Sequence, residues 1–274
     1  MGLALLMAVF QVACTAQASH NEQEEGGGRE GHSLLNVVIL GDSNAWIGGD
    51  NCDQPNGWNK WFNDRFAPAT CKSYARSGAT WTNTSTTQCN ITQNIAVLGN
   101  DNVVYNQIER LKTAADNGQQ PTPHLILIAA GTNDAWFADK RPGIFSQTAE
   151  QAFSLADRFS THQSVGQMVS LAASVRYGCE LLMQYFPDCQ IILLTPPQTT
   201  ATSTERIAQV SDIIEACGHR MSIAVIRLDR EACNYDIRER QDKHFTTDGT
   251  HSSPQGARRN GYYIANRVSS MLQF

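Results

Sequence analysis

Five residues spread along this chain could together cleave an ester: Ser43, Gly78, Asn133, Asp248 and His251. A serine hydroxyl attacks a carbonyl only when a base takes its proton, and an imidazole can take that proton and return it near neutral pH. His251 is the candidate base. Asp248 stands three residues earlier, and in a tight turn that spacing brings a carboxylate to the ring Nδ1 and fixes its tautomer. The oxyanion that forms during attack needs hydrogen-bond donors. Asn133 offers a side-chain amide, Gly78 a backbone N–H unshielded by a Cβ, and Ser43 its own N–H.

The elements that must position these residues can be read from the apolar pattern. Gly41-Asp42-Ser43 follows the run Asn36-Val37-Val38-Ile39-Leu40, which reads as a strand buried on both faces. Further strands are expected at Cys71 to Arg76, His124 to Ala130, Gln190 to Leu194 and Ser222 to Leu228. Between them lie stretches with helical spacing: Asn59 to Phe66, Val104 to Ala115, Val169 to Phe186, the segment after Ser203, and Gly256 to Leu272. Alternating strands and helices predict an α/β domain with a mostly parallel sheet of about five strands, covered on both faces. After the first strand comes Ser43, after the second Ser77-Gly78, and after the third Gly131-Thr132-Asn133-Asp134. Thr195-Pro196-Pro197-Gln198 follows the fourth, and Asp248-Gly249-Thr250-His251 comes beyond the fifth and a polar loop. The C-terminal ends of parallel strands share one edge of the sheet, so these groups can converge on one crevice.

Each residue also has a plainer reading. Ser43 could be only the N-cap of a helix. Asn133 and Asp134 could simply form an Asx-turn, and Asp42 suits a loop-organising acceptor better than a catalyst. His244, Asp248 and His251 are metal ligands by type and spacing, but no further His or Cys cluster completes a site, so no metal and no cofactor are expected. His32, His124, His162 and His219 read as structural or surface groups. Trp46, Trp81 and Trp136 closely follow three of the motifs; their rings could face a sugar or an acyl group, or could pack loops. Gly57-Trp58 and Trp61 read as anchors of the first helix.

Gly41-Asp42-Ser43, Gly78, Gly131-Thr132-Asn133-Asp134 and Asp248-x-x-His251 fall in the order of the four sequence blocks of the SGNH (GDSL) hydrolases. The chain resembles that family over roughly residues 35 to 272. The resemblance implies a flavodoxin-like three-layer sandwich, with Ser43 as nucleophile, His251 as base and Asp248 as orienting acid. It implies an oxyanion hole of Ser43, Gly78 and Asn133. The first block carries Asn44 where Leu is common, and the second reads Ala75-Arg76-Ser77-Gly78 rather than Asn-x-Gly. The Gly-x-Ser-x-Gly elbow of the α/β-hydrolases does not occur at Ser43.

The 274 residues divide into an expected signal segment over 1–18, a polar tether over 19–34 and one hydrolase domain over 35–274. Leu3 to Ala13 is apolar but shorter than the roughly 20 residues that span a bilayer. Ala16-Gln17-Ala18 fits a small-x-small cleavage site. Cys14 after Val12-Ala13 instead resembles a lipoprotein acylation site, so export is expected with or without a lipid anchor. Eight cysteines in an exported chain suggest disulfides. Without Cys14 the count is odd, and the pairing is not readable from spacing. The net charge of −5 shows no basic bias and argues against nucleic acid as partner. Residues 139–164 form a polar loop-plus-helix insertion of unassigned role. The expected function is an exported serine esterase releasing small acyl groups, O-acetyl above all, from carbohydrate through an acyl-enzyme. The alternatives are a lipid acyl-ester hydrolase or thioesterase of the same fold, and a catalytically idle carbohydrate-binding protein.

Overall fold

Five short apolar segments form one sheet: β1 (Asn36–Gly41), β2 (Thr70–Ser73), β3 (Leu125–Ala129), β4 (Gln190–Leu194) and β5 (Ala224–Ile226). The computed structural model describes residues 32–92, 98–154, 158–232 and 234–273. All four strand pairings are parallel, in the order β2-β1-β3-β4-β5. The expected signal segment, Cys14, most of the tether and Cys233 lie outside the described residues.

Five helices cover the sheet: α1 (Trp58–Phe66), α2 (Val104–Asp116), α3 (Leu171–Tyr185), α4 (Thr204–Arg220) and α5 (Pro254–Ser269). Successive strand residues face opposite sides, and the two sides have separate cores. Val38, Leu40, Ile126, Ile128 and Leu193 pack with Ile108, Leu111, Val175, Leu182 and Val210 from α2, α3 and α4. Val37, Ile39, Leu127, Ile192 and Leu194 pack with Trp58, Phe62, Ile264 and Val268 from α1 and α5. The result is a three-layer α/β sandwich of flavodoxin-like strand order. Serines start three of these helices, since Ser170, Ser203 and Ser253 each accept a first-turn N–H that has no partner within the helix.

The last strand is shorter than its apolar pattern. The Ile226 carbonyl accepts the Thr195 N–H at 3.0 Å, after which Leu228 enters the helical turn Leu228–Glu231. Arg227 precedes that turn, and its guanidinium pairs with Asp229, Asp212 and Glu215.

The insertion folds onto α3 around a buried ion pair, Arg176 to Glu180 at 2.8 Å. Arg176 also donates to the carbonyls of Ala152 and Arg158, and Glu180 accepts the Ser160 N–H at 2.6 Å. The disulfides suggested by the cysteine count are not formed among the described residues: Cys52, Cys71, Cys89, Cys179, Cys189 and Cys217 are thiols. Among those residues no helix is long and apolar enough to cross a membrane.

Candidate active site

From β1 the chain turns to β2 on one side, while β3 lies on the other, so the strand order reverses between β1 and β3. Open α/β sheets bind ligands at such a switch point, beyond the carboxyl ends of the strands. Ser43 stands there. Gly41 is level with Ala129 of β3, and a Cβ on Gly41 would lie 2.3 Å from the Ala129 carbonyl oxygen, so only glycine lets the strands run this close. Asp42 then caps the helical turn Ser43–Trp46 by accepting the Asn44 N–H at 3.0 Å. Its other carboxylate oxygen accepts the Thr132 N–H at 3.3 Å, which ties the first motif to the third. Burial pushes the Asp42 carboxyl above its ordinary range, although hydrogen bonds from Asn44 and Thr132 oppose the shift. Asp42 is therefore an organiser, as its type suggested.

Asp248 and His251 reach the same crevice from the opposite end of the chain. His251 Nε2 lies 2.9 Å from Ser43 Oγ, and Nδ1 lies 2.7 Å from Asp248 Oδ2. The other carboxylate oxygen, Oδ1, accepts the N–H groups of Thr250 at 2.9 Å and His251 at 2.8 Å. One carboxylate thus shapes the turn and holds the ring that the turn carries. An ionised carboxylate only accepts, so Nδ1 carries the ring proton and Nε2 is left to accept from the serine O–H. Partial burial opposes ionisation of Asp248, but the bonds from His251 and Thr250 outweigh it and hold the carboxyl below its ordinary range. Ser43 is buried, while the His251 side chain is 30% exposed, so solvent reaches the pair through the imidazole.

The second and third motifs are stitched to the first. The Arg76 N–H donates to the Gly41 carbonyl at 3.1 Å, and the chain then turns over Arg76 to Ala79, closed by the Ala79 N–H on the Arg76 carbonyl at 3.2 Å. Gly78 takes φ 77° at the third position of that turn, where a type II turn requires a positive φ. Asn133 Nδ2 spends one N–H on the Ala79 carbonyl at 2.9 Å, which leaves its second N–H to point elsewhere. Asp134 is fully buried and accepts from the Trp81 N–H, the Thr82 N–H and the Thr82 hydroxyl, at 2.9, 2.9 and 2.6 Å. It is a cross-brace between two loops rather than a local Asx-turn.

That brace also explains a correction. Trp81 does not face the crevice; it is 1% exposed and packs between α2 and α3, against Ile108 and Gly178. With its backbone N–H held by Asp134, its side chain points into the core. Trp46 and Trp136 are exposed, and Trp136 stacks on Phe137 with ring centroids 5.1 Å apart. His244 packs edge-on against Phe245, and among the described residues no group of three His, Cys, Asp or Glu is placed to hold a metal ion.

Sequence reasoning missed two residues that build this site. Gln107 on α2 bonds both backbone groups of Gly41, and buried Glu239 gathers four hydrogen bonds from the loop that leads to Asp248. Gln107 stood in view, as a polar residue in the buried stripe of Val104, Ile108 and Leu111. Glu239 sits among charged neighbours with no periodicity to mark it.

The description "GDSL-like Lipase/Acylhydrolase family" belongs to the family model that matches residues 39–259, and the chain belongs to that family. No curated protein is significantly similar to the sequence. Among solved structures, a putative GDSL-like lipase from Bacteroides uniformis is similar with a TM-score of 0.54 at 18% identity, over 86% of this chain and 97% of that one. A putative GDSL-like lipase from Bacteroides ovatus gives 0.54 at 16% identity, over 87% and 100%. A possible lipase from Chitinophaga pinensis gives 0.51 at 14% identity, over 86% and 96%. At these identities the likeness is one of fold.

Proposed function

We propose that this protein is an exported serine esterase that removes small acyl groups, O-acetyl above all, from carbohydrate. The observation that carries the reading is the unbroken line from Asp248 Oδ2 through the His251 ring to Ser43 Oγ, with steps of 2.7 and 2.9 Å. In it Ser43 is the nucleophile, His251 the base and Asp248 the group that fixes the tautomer and stabilises the imidazolium. His251 takes the hydroxyl proton as Ser43 Oγ bonds to the ester carbon, and the tetrahedral oxyanion is held by Ser43 N–H, Gly78 N–H and the second N–H of Asn133 Nδ2. The imidazolium then protonates the leaving alcohol, leaving an acyl-enzyme. Water, deprotonated by the same ring, attacks that acyl group and releases the acid.

Carbohydrate as the alcohol side rests on the two exposed tryptophans that end the helical turns Ser43–Trp46 and Thr132–Trp136, together with the expected export segment. Membership in a family of lipases and acylhydrolases supports a second reading, in which the same rings meet a longer acyl chain. Acetate release from p-nitrophenyl acetate and acetylated xylan, measured for the parent and for Ser43→Ala, tests the first. The variant should lose on the order of 10⁴-fold or more in turnover while still folding. Equal rates would remove the mechanism. A series of p-nitrophenyl esters separates the two readings, since rates rising with acyl length favour the lipid substrate. A chelator should leave the rate unchanged.

A further inference from the structure

The loop after the Ser43 turn runs back along the free edge of β2. Asp50 accepts the Ser73 N–H through its carbonyl at 2.9 Å and pairs with Arg76 through its carboxylate at 2.9 Å. Asn51 accepts from Lys72 Nζ at 2.6 Å. These contacts fix residues 50–52 against residues 71–76 and carry Cys52 over Cys71. Cys52 holds a left-handed backbone, φ 54°, and both side chains are buried in the core that α1 shares with β1. The Cys52 thiol is near enough to shift the titration of the Cys71 thiol, and Asn59 Nδ2 donates to Cys52 Sγ at 3.5 Å.

We propose that Cys52 and Cys71 are a specific oxidative cross-linking site, closing a disulfide that ties the loop following Ser43 to the edge strand. The reaction is thiol–disulfide exchange with a small-molecule or protein disulfide as oxidant. One thiolate attacks the oxidant and forms a mixed disulfide, releasing one thiol. The second thiolate attacks the protein sulfur of that mixed disulfide and releases the other thiol. Two protein thiols are oxidised, one oxidant disulfide is reduced to two thiols, and two protons pass to solvent or to the leaving thiolates. The Cys52 thiol beside it, together with burial, pushes the Cys71 thiol well above the ordinary range, so the closure speeds up in alkali. Access comes through local opening of a four-residue edge strand, held by the sheet on one side only.

The other buried pair differs. Cys179 on α3 and Cys217 on α4 are near enough to influence one another, but the Cys217 thiol donates to the Ala172 carbonyl at 3.7 Å. That pair should stay reduced. Cys89 is exposed and serves as an internal reporter of alkylation.

The test is peptide mapping of the full chain after folding and incubation with glutathione disulfide at mildly alkaline pH. Alkylation in denaturant without reduction follows. The expected result is one linked peptide joining Cys52 to Cys71, two hydrogens lighter than the sum of its parts, with Cys179 and Cys217 alkylated. The melting temperature should rise on oxidation and fall back with reductant, a change missing in Cys71→Ser. Alkylation of both Cys52 and Cys71 after oxidation would overturn the proposal. So would pairing of either with another cysteine, or a link that forms only in unfolded protein. The mapping uses the parent chain and decides the matter even if Cys71→Ser does not fold. None of these outcomes depends on esterase activity.

Discussion

The side-chain amide of Gln107 brackets Gly41: Oε1 accepts the Gly41 N–H at 2.8 Å and Nε2 donates to the Gly41 carbonyl at 2.8 Å. The geometry has a topological cause. β2 pairs with β1 only as far as Ser73 opposite Ile39, whereas β1 runs on to Gly41 against β3. The Gly41 carbonyl also accepts the Arg76 N–H, but the Gly41 N–H, two residues before Ser43 and inside the protein, has Gln107 as its partner. From α2, Gln107 supplies the acceptor for that N–H and a second donor to the carbonyl, and so helps fix the direction in which the chain enters the Ser43 turn.

Gln107→Ala should therefore lower turnover by about 10–100-fold with KM within about twofold, because a misdirected nucleophile costs rate rather than binding. It should also cost about 1–3 kcal/mol of stability, since it strands a buried N–H. Gln107→Glu keeps the acceptor for the N–H but sets a carboxylate oxygen against the Gly41 carbonyl, and should recover only part of either loss. Chemical denaturation and initial rates on p-nitrophenyl acetate measure both effects. If all three proteins share one turnover number, Gln107 is merely part of the core.

Glu239 plays the matching part at the other end of the line. Its carboxylate accepts the Phe245 N–H on both oxygens, at 3.0 and 3.2 Å, and the Thr246 N–H and hydroxyl at 2.9 and 2.6 Å. Thr246 Oγ in turn accepts the Gly249 N–H at 3.0 Å, inside the Asp248–His251 turn. Glu239→Gln turns an NH₂ toward this crowd of donors. The expected outcome is a loss of about 1–3 kcal/mol in chemical denaturation, with a parallel fall in turnover. Unchanged stability would mean that the loop holds its shape without this carboxylate.

These two residues show where sequence reading stops. The strands were legible because buried parallel strands are continuous apolar runs, and Asn36 to Leu40 and Gln190 to Leu194 matched their observed bounds within a residue. The placement of Ser43 and Asn133 at one edge followed from strand direction, because all four strand pairings are parallel. His251, by contrast, arrives there only after the helical segments Leu228–Glu231 and Asp236–Gln241. The direction of Trp81 was not legible, because its distance along the chain from Gly78 says nothing about which way its side chain points. That direction is set by Asp134, more than fifty residues away. Gln107 acts through backbone groups alone and Glu239 mainly so, and backbone groups recur in every sequence, so no residue pattern marks these partners.

Stability and pH should be linked through Asp248. Its folded-state carboxyl titrates below the ordinary value of about 3.9. A depressed carboxyl contributes stability that is present above the ordinary range and is lost as pH falls through the lowered folded value. Asp248→Asn should thus be less stable than the parent at neutral pH, and the gap should narrow as pH falls from about 4 through the lowered folded value, where the parent carboxyl becomes neutral too. Denaturation curves across that range measure it. A gap that stays constant into strong acid would show that ionisation of Asp248 has no share in holding the turn.

Trp136 offers a way to separate the two sides of the proposed ester. It lies three residues beyond Asn133 in the helical turn Thr132–Trp136, is 44% exposed, and is braced from behind by Phe137 with ring planes 4° apart. A flat, supported, solvent-facing ring suits the apolar face of a sugar, and an aromatic contact of this kind is worth about 0.5–1.5 kcal/mol. Trp136→Ala should then raise KM on acetylated xylan by roughly 2–12-fold, the factor that energy corresponds to, and leave rates on p-nitrophenyl acetate within about twofold. A small ester does not reach beyond the crevice, so it serves as the control for folding and chemistry. Equal losses on both substrates would make Trp136 a packing residue, and no loss on either would place the sugar elsewhere.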